Sequence, residues 1–179
     1  MDIEHRIELV EALLSPWRSA LGEDFDGYRN HVYRVVHFCA AMSPLRPEER
    51  EKVLIAACFH DLGIWAKHTF DYLGPSVDLA GNYLARLGKE EWTHEIALMI
   101  LYHHKLTSYR DNAFPLVELF RKADWIDVLR GRLDFGLRPE VIEGVLAAFP
   151  NAGFHRFLIR SVKARFKRHP FSPLPMFRW

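Results

Sequence analysis

Val53-Leu54-Ile55-Ala56-Ala57-Cys58-Phe59-His60-Asp61-Leu62-Gly63-Ile64-Trp65 is an apolar run with a histidine and an aspartate set side by side inside it. Burying such a pair is costly unless something compensates for the lost water. A divalent metal does so, and both side chains are metal ligands. The rest of the chain supplies further candidates: His31 upstream, the doublet His103–His104, and Asp124 downstream. Each falls on a predicted helix. The order His, His-Asp, His-His, Asp points to a metal site inside a helical bundle.

The decisive run closes a predicted helix that opens near Arg46-Pro47-Glu48-Glu49-Arg50, with Pro at an early position and acids in the first turn. Gly63 is its expected stop. Upstream, Ile3, Ile7, Val10 and Leu14 share one face of a helix predicted over 3–14, and Ser15-Pro16 ends or kinks it. Residues 21–27 read as a loop by their Gly and Asp content. A helix over about 28–42 turns Val32, Val35, Val36 and Cys39 inward and stops at Ser43-Pro44. Downstream, a connector over 66–75 leads to helices predicted at about 76–87, 90–105, 115–130, 140–148 and 153–168. The tail from Pro170 to Trp179 is too rich in proline for a helix, and its apolar residues predict that it packs on the body. No alternating strand pattern stands out. The fold class is all-α: a single helical domain over 1–179, with a core at about 28–130 and the segment 138–179 packed on it.

With 179 residues the chain can bury a sizeable core. A formal net charge of +1 gives no strong pull toward nucleic acid or an anionic membrane, and neither is expected as a partner. The two cysteines, Cys39 and Cys58, lie in apolar runs and read as buried thiols, not a disulfide framework. The first residues do not resemble a signal peptide, and no apolar run approaches a membrane span. The simplest location is the cytosol.

Imidazole and carboxylate ligands suit Zn, Fe, Mn, Co or Ni. No cysteine cluster of the structural-zinc kind and no H-E-x-x-H occurs. Adjacent residues on a helix diverge by about 100°. His60 and Asp61 therefore reach one metal only if the helix end abuts it, or if two ions lie side by side with Asp61 between them. The plainer alternatives are a core or surface histidine at position 31 and, at position 124, a helix-face carboxylate paired to Arg121 or Lys122. His5, His37, His155 and His169 read as ordinary histidines.

His31 followed by Arg34-Val35, then His60-Asp61-Leu62-Gly63, then Ala123-Asp124, resembles the HD superfamily of metal-dependent phosphohydrolases. Order and spacing both agree: 60 − 31 = 29 residues between the histidines and 124 − 61 = 63 between the aspartates. The resemblance covers about residues 28–128. It implies an all-α bundle in which His31, His60, Asp61 and Asp124 ligate metal. His103–His104 resembles the downstream histidine of two-metal members, with one of the two facing the site and the other behind it. The histidine that usually opens the helix after His-Asp is missing: Gly74-Pro75-Ser76 stands there, and His68 and His94 are off register. One ion, or a second weaker site, is the expectation.

The chemistry that follows is hydrolysis by a metal-activated water, with Asp61 holding or deprotonating that water. Phosphate calls for cations. Arg34, one turn from His31, and Lys105, beside the doublet, are the catalytic candidates, with Lys122 and Lys67 as further ones. The resemblance implies a small phosphorylated substrate, a nucleotide or another phosphoester. Di-iron oxygenases and a small-molecule hydratase in the same superfamily, which suit a poorly charged substrate, stand as alternatives, as does a non-catalytic metal- or nucleotide-binding protein. The segment 149–155 and the aromatic tail are read as capping the bundle, with a pocket roof or a homodimer contact as the alternatives.

Overall fold

Prolines and glycines punctuate the chain into ten α-helices among the residues that the structure, a computed structural model, describes: 2–168 and 176. They are α1 (Glu8–Leu14), α2 (Arg18–Leu21), α3 (Phe25–Met42), α4 (Pro47–Phe59), α5 (Gly63–Ala66), α6 (Leu73–Leu87), α7 (Thr93–Tyr102), α8 (Pro115–Val128), α9 (Pro139–Ala148) and α10 (Phe154–Arg168). Helix accounts for 71% of the chain, with no strand among the described residues, so the fold is all-α. No described helix is long and apolar enough to cross a membrane. The expected packing of residues 170–175 and 177–179 lies outside the described residues. Met176 is buried against Tyr72 and Leu73.

Helix α3 is central and touches α4, α8, α9 and α10. Its Tyr28, Val32, Val35, Phe38 and Cys39 are fully buried. Helix α4 has no polar stripe toward its end, since Val53 to Phe59 are all buried. A helix apolar all round belongs in a core, and it lies between α1, α3, α6 and α7. Each large side chain so buried contributes roughly 1.5–3 kcal/mol. Both cysteines are free and buried, and burial pushes their thiols well up.

Local signals set most helix ends. Pro47 opens α4, and the Glu49 carboxylate accepts from the Arg46 backbone N–H at 2.9 Å. Gly88 closes α6 in the left-handed conformation. Two expectations fail for tertiary reasons. Residues 3–7 are not helical because side chains of α3 take their backbone: the Glu4 N–H donates to His37 Nε2 and the Ile7 N–H to the Tyr33 hydroxyl. Gly63 does not end a helix but opens α5, and α6 begins at Leu73, with Pro75 in its first turn, where a missing N–H costs little.

The reason for glycine at 63 is close approach. A Cβ there would lie 2.6 Å from the Tyr72 carbonyl oxygen and 2.9 Å from Ser76 Oγ, while its N–H donates to that hydroxyl at 3.0 Å. Gly63→Ala is expected to lose about 1–3 kcal/mol of stability by urea denaturation, as an overpacked site does. An unchanged midpoint would mean that α5 and α6 separate freely.

Candidate metal centre

Four elements converge on one buried cluster. Helix α3 supplies His31. The turn that closes α4 supplies His60 and Asp61. The turn after α7 supplies His103 and His104, and α8 supplies Asp124. Five of these are at most 3% exposed, and His104 is partly buried. His60 caps α4, and the chain then tightens, Leu62 N–H bonding the Phe59 carbonyl at 3.1 Å and Ile64 N–H the Asp61 carbonyl at 3.0 Å. That tight turn lets two neighbouring side chains face one space.

His31 Nε2 lies 2.9 Å from His60 Nε2. Asp61 Oδ2 is 3.5 Å from His60 Nε2 and 3.8 Å from His31 Nε2, and its Oδ1 is 3.4 Å from His103 Nε2. Asp124 spans the cluster, with Oδ1 3.5 Å from His31 Nε2 and Oδ2 3.4 Å from His104 Nδ1. The donors form two groups that could each hold an ion: His31, His60 and Asp61, and Asp61, His103 and His104. Asp61 belongs to both.

Hydrogen bonds on the far side of each ring fix its tautomer. His31 Nδ1 is 2.6 Å from Asp127 Oδ2, His60 Nδ1 is 2.8 Å from the Ala57 carbonyl, and His103 Nδ1 is 2.6 Å from the Ile100 carbonyl. These oxygens only accept, so each Nδ1 carries the proton and each Nε2 lone pair points inward. Two facing lone pairs at 2.9 Å repel each other unless a cation lies between them. Asp61 Oδ1, both Asp124 carboxylate oxygens and His103 Nε2 are buried without a hydrogen-bond partner. Buried polar atoms are nearly always satisfied.

The charge count agrees. Asp127 is balanced by Arg34, which leaves the carboxylates of Asp61 and Asp124 among imidazoles. A divalent cation offsets two negative charges. The donor set therefore fits a metal of the imidazole- and carboxylate-binding kind.

Burial opposes charge on His60, Asp61, His103, His104 and Asp124, and the neighbours decide the rest. It pushes His60 down to about 4. It would raise Asp61, but His60 and His103 hold that carboxyl well below its usual range. Asp124 is held down against burial by His104, His103 and His31. His103 rises against burial because Asp61 and Asp124 favour its charged form, whereas burial lowers His104. Below its raised value His103 is doubly protonated, and there an arriving ion must displace the Nε2 proton. Metal affinity is thus expected to be flat above the raised His103 value and to fall below it, by about tenfold per pH unit for one proton released. Calorimetric metal titration in buffers of differing ionisation enthalpy checks this, and affinity constant from about pH 6 to 8 would remove His103 from the ligands.

Both members of the doublet face the cluster, where only one was expected to. Asp124 is not paired with its helix neighbours: Arg121 bonds Glu118 at 2.7 Å, and Lys122 lies 3.8 Å from the same residue. Arg34 needs correction. Its Nε and Nη2 bind Asp127 and its Nη1 donates to the Phe149 carbonyl at 2.9 Å, all at 1% exposure. A guanidinium so used does not meet a substrate phosphate. Lys105 follows the doublet half-buried, its carbonyl accepting from Arg121 Nη1 and Trp125 Nε1, both at 3.2 Å. Lys67 is exposed. His94 packs on Phe114 and joins neither donor group.

Sequence reasoning missed Asp127, which anchors both His31 and Arg34; burial would raise its carboxyl, but these partners bring it down to about 2. The contact of Tyr72 with the doublet was not foreseen either: its hydroxyl is 2.9 Å from His104 Nε2. The segment after α9 serves the site too. Phe154 stacks on His31 with ring centroids 4.2 Å apart, and the Pro150 carbonyl lies 3.3 Å from Arg34 Nη1.

A family model of the HD domain matches residues 28–129. That is more than half of the chain, and it spans every residue of the cluster. The chain belongs to the HD-domain family, whose members are of the metal-dependent phosphohydrolase-like superfamily and bind divalent metals. Neither the curated proteins nor the solved structures compared with it contain a match.

Proposed function

We propose that this protein is a metal-dependent phosphohydrolase that cleaves a small phosphoester. The observation that carries the reading is the pair of donor groups meeting at Asp61, with Asp124 facing both and four buried polar atoms left without partners. A bound divalent ion brings the pKa of water toward neutrality and polarises a phosphoryl oxygen. Two such ions against two carboxylates leave two positive charges, the complement of a phosphate monoester dianion.

In the proposed reaction the water oxygen bonds to phosphorus, the ester P–O bond breaks, and the proton goes to the leaving alkoxide. The products are an alcohol and inorganic phosphate. Asp61 and Asp124 hold the water, and one of them takes up its proton and passes it to the leaving alkoxide, while His31, His60, His103 and His104 would complete the metal sphere. Lys105 is the remaining candidate for contact with the phosphate. A nucleotide is one phosphoester within this class.

A second reading, hydration or oxidation of a small poorly charged molecule, draws on the apolar walls around Asp61 and His104. The test strips the full chain, reloads it with Zn, Fe, Mn, Co or Ni in turn, and follows phosphate release from a panel of phosphoesters. Metal-dependent release is the expected outcome. Bound metal without release from any ester would refute the phosphohydrolase reading in favour of the second.

A further inference from the structure

A cavity of about 200 Å³ opens onto Asp61 and His104. Beyond these two groups its described lining is apolar: Ile64, Phe70, Tyr72, Leu158 and Val162 form walls, and Met176 closes one side. No lysine or arginine is among the described lining residues. Drug-sized ligands occupy pockets of about 300–1,000 Å³, so this space suits a smaller body. Met176 reaches it from the far end of the sequence, 176 − 168 = 8 residues past α10. At 5% exposure it sits against Tyr72 and Leu73, with Ile64, Phe70 and Leu101 around them.

We propose that the cavity takes the leaving group of the substrate, that this group is a short alkyl or aryl chain and not a nucleoside, and that Met176 is the wall that sets its length. The inference rests on the metal-centre reading above for the position of the reacting phosphoryl group. The walls give an alkyl chain dispersion contacts and shed water from it. They offer a ribose and a base few polar partners, and unpaired polar groups in such a place are disfavoured. A flexible thioether fits an irregular wall.

The experiment measures binding of methyl-, butyl- and hexylphosphonate and of adenosine monophosphate to the metal-loaded full chain by calorimetry, with Met176→Ala and Met176→Trp beside the parent. Butylphosphonate is expected to bind about tenfold or more tighter than methylphosphonate, from the added buried methylenes, and tighter than the nucleotide. Met176→Trp should abolish that advantage while leaving methylphosphonate unchanged, and Met176→Ala should shift the preference to hexylphosphonate. The second variant keeps the test intact if the first does not fold. Equal or tighter binding of the nucleotide, a chain-length order indifferent to Met176, or no phosphonate binding by metal-loaded protein would each overturn the proposal. The expected order without hydrolysis of any ester would instead remove the proposed reaction, and with it the leaving-group role, and leave the cavity only as a site that selects a short apolar chain by its length.

Discussion

Asp61→Ala is expected to empty both halves of the metal cluster at once, because this carboxylate is the one donor the two groups share. Metal-dependent turnover should fall by about three orders of magnitude or more, since the activated water is lost with the ion. The fold should persist: Asp61 sits in a turn, and α4 ends before it at Phe59. A ligand at about a thousand times its Kd stabilises by about 4 kcal/mol. For a chain of this size that is a rise in Tm of roughly 8–16 °C on loading. The variant should lose this rise while its metal-free circular dichroism stays native. Metal content at the parent level would show that Asp61 is not the shared ligand.

The second large effect belongs to Asp127, a residue outside the donor set. It holds the Nδ1 proton of His31 and the Nε and Nη2 groups of Arg34, with no exposure of its own. Asp127→Ala leaves a guanidinium buried without its counter-ion, which costs about 3–5 kcal/mol, or roughly 6–20 °C in Tm. It also frees the ring of His31, and loss of such a supporting partner weakens metal binding about 10- to 100-fold. The two effects separate in a double variant. Arg34→Met with Asp127→Leu removes the stranded charge and should recover much of the stability, but not the metal affinity. Full recovery of both would reduce Asp127 to a partner of Arg34 alone.

The fold class and the cluster were legible because each left a physical trace in the sequence. Seven apolar residues ahead of His60–Asp61 mark a helix end that cannot bury its charges alone. His31 and Asp124 stand out by order and distance from that pair, although neither is persuasive by itself. What stayed hidden was pairing across helices. Arg34 lies one turn from His31 and reads as a free cation, but its partner is on α8, 93 residues away. The trace was there: Arg34 follows His31 by three positions and Asp127 follows Asp124 by three, so two one-turn pairs on packed helices face each other.

The helix ends failed for a similar reason. Residues 3–7 have helical periodicity, but hydrogen bonds to Tyr33 and His37 of α3 compete for their backbone. Gly63 has the composition of a stop, yet its role is to admit the Tyr72 carbonyl. Nothing local in the tail says that Met176 reaches the cavity beside Asp61. The expectation that only one of His103 and His104 faces inward assumed a continuing helix. The helix ends at Tyr102, and the following turn presents both rings.

Elemental analysis of the full chain, stripped and reloaded with single divalent metals, is the most direct test of the central claim that these buried imidazoles and carboxylates form a metal centre. At least one tightly held equivalent is expected, tending toward two as the second donor group fills, with its loss in Asp61→Ala. A folded parent protein that retains no metal after loading with any of them would contradict it.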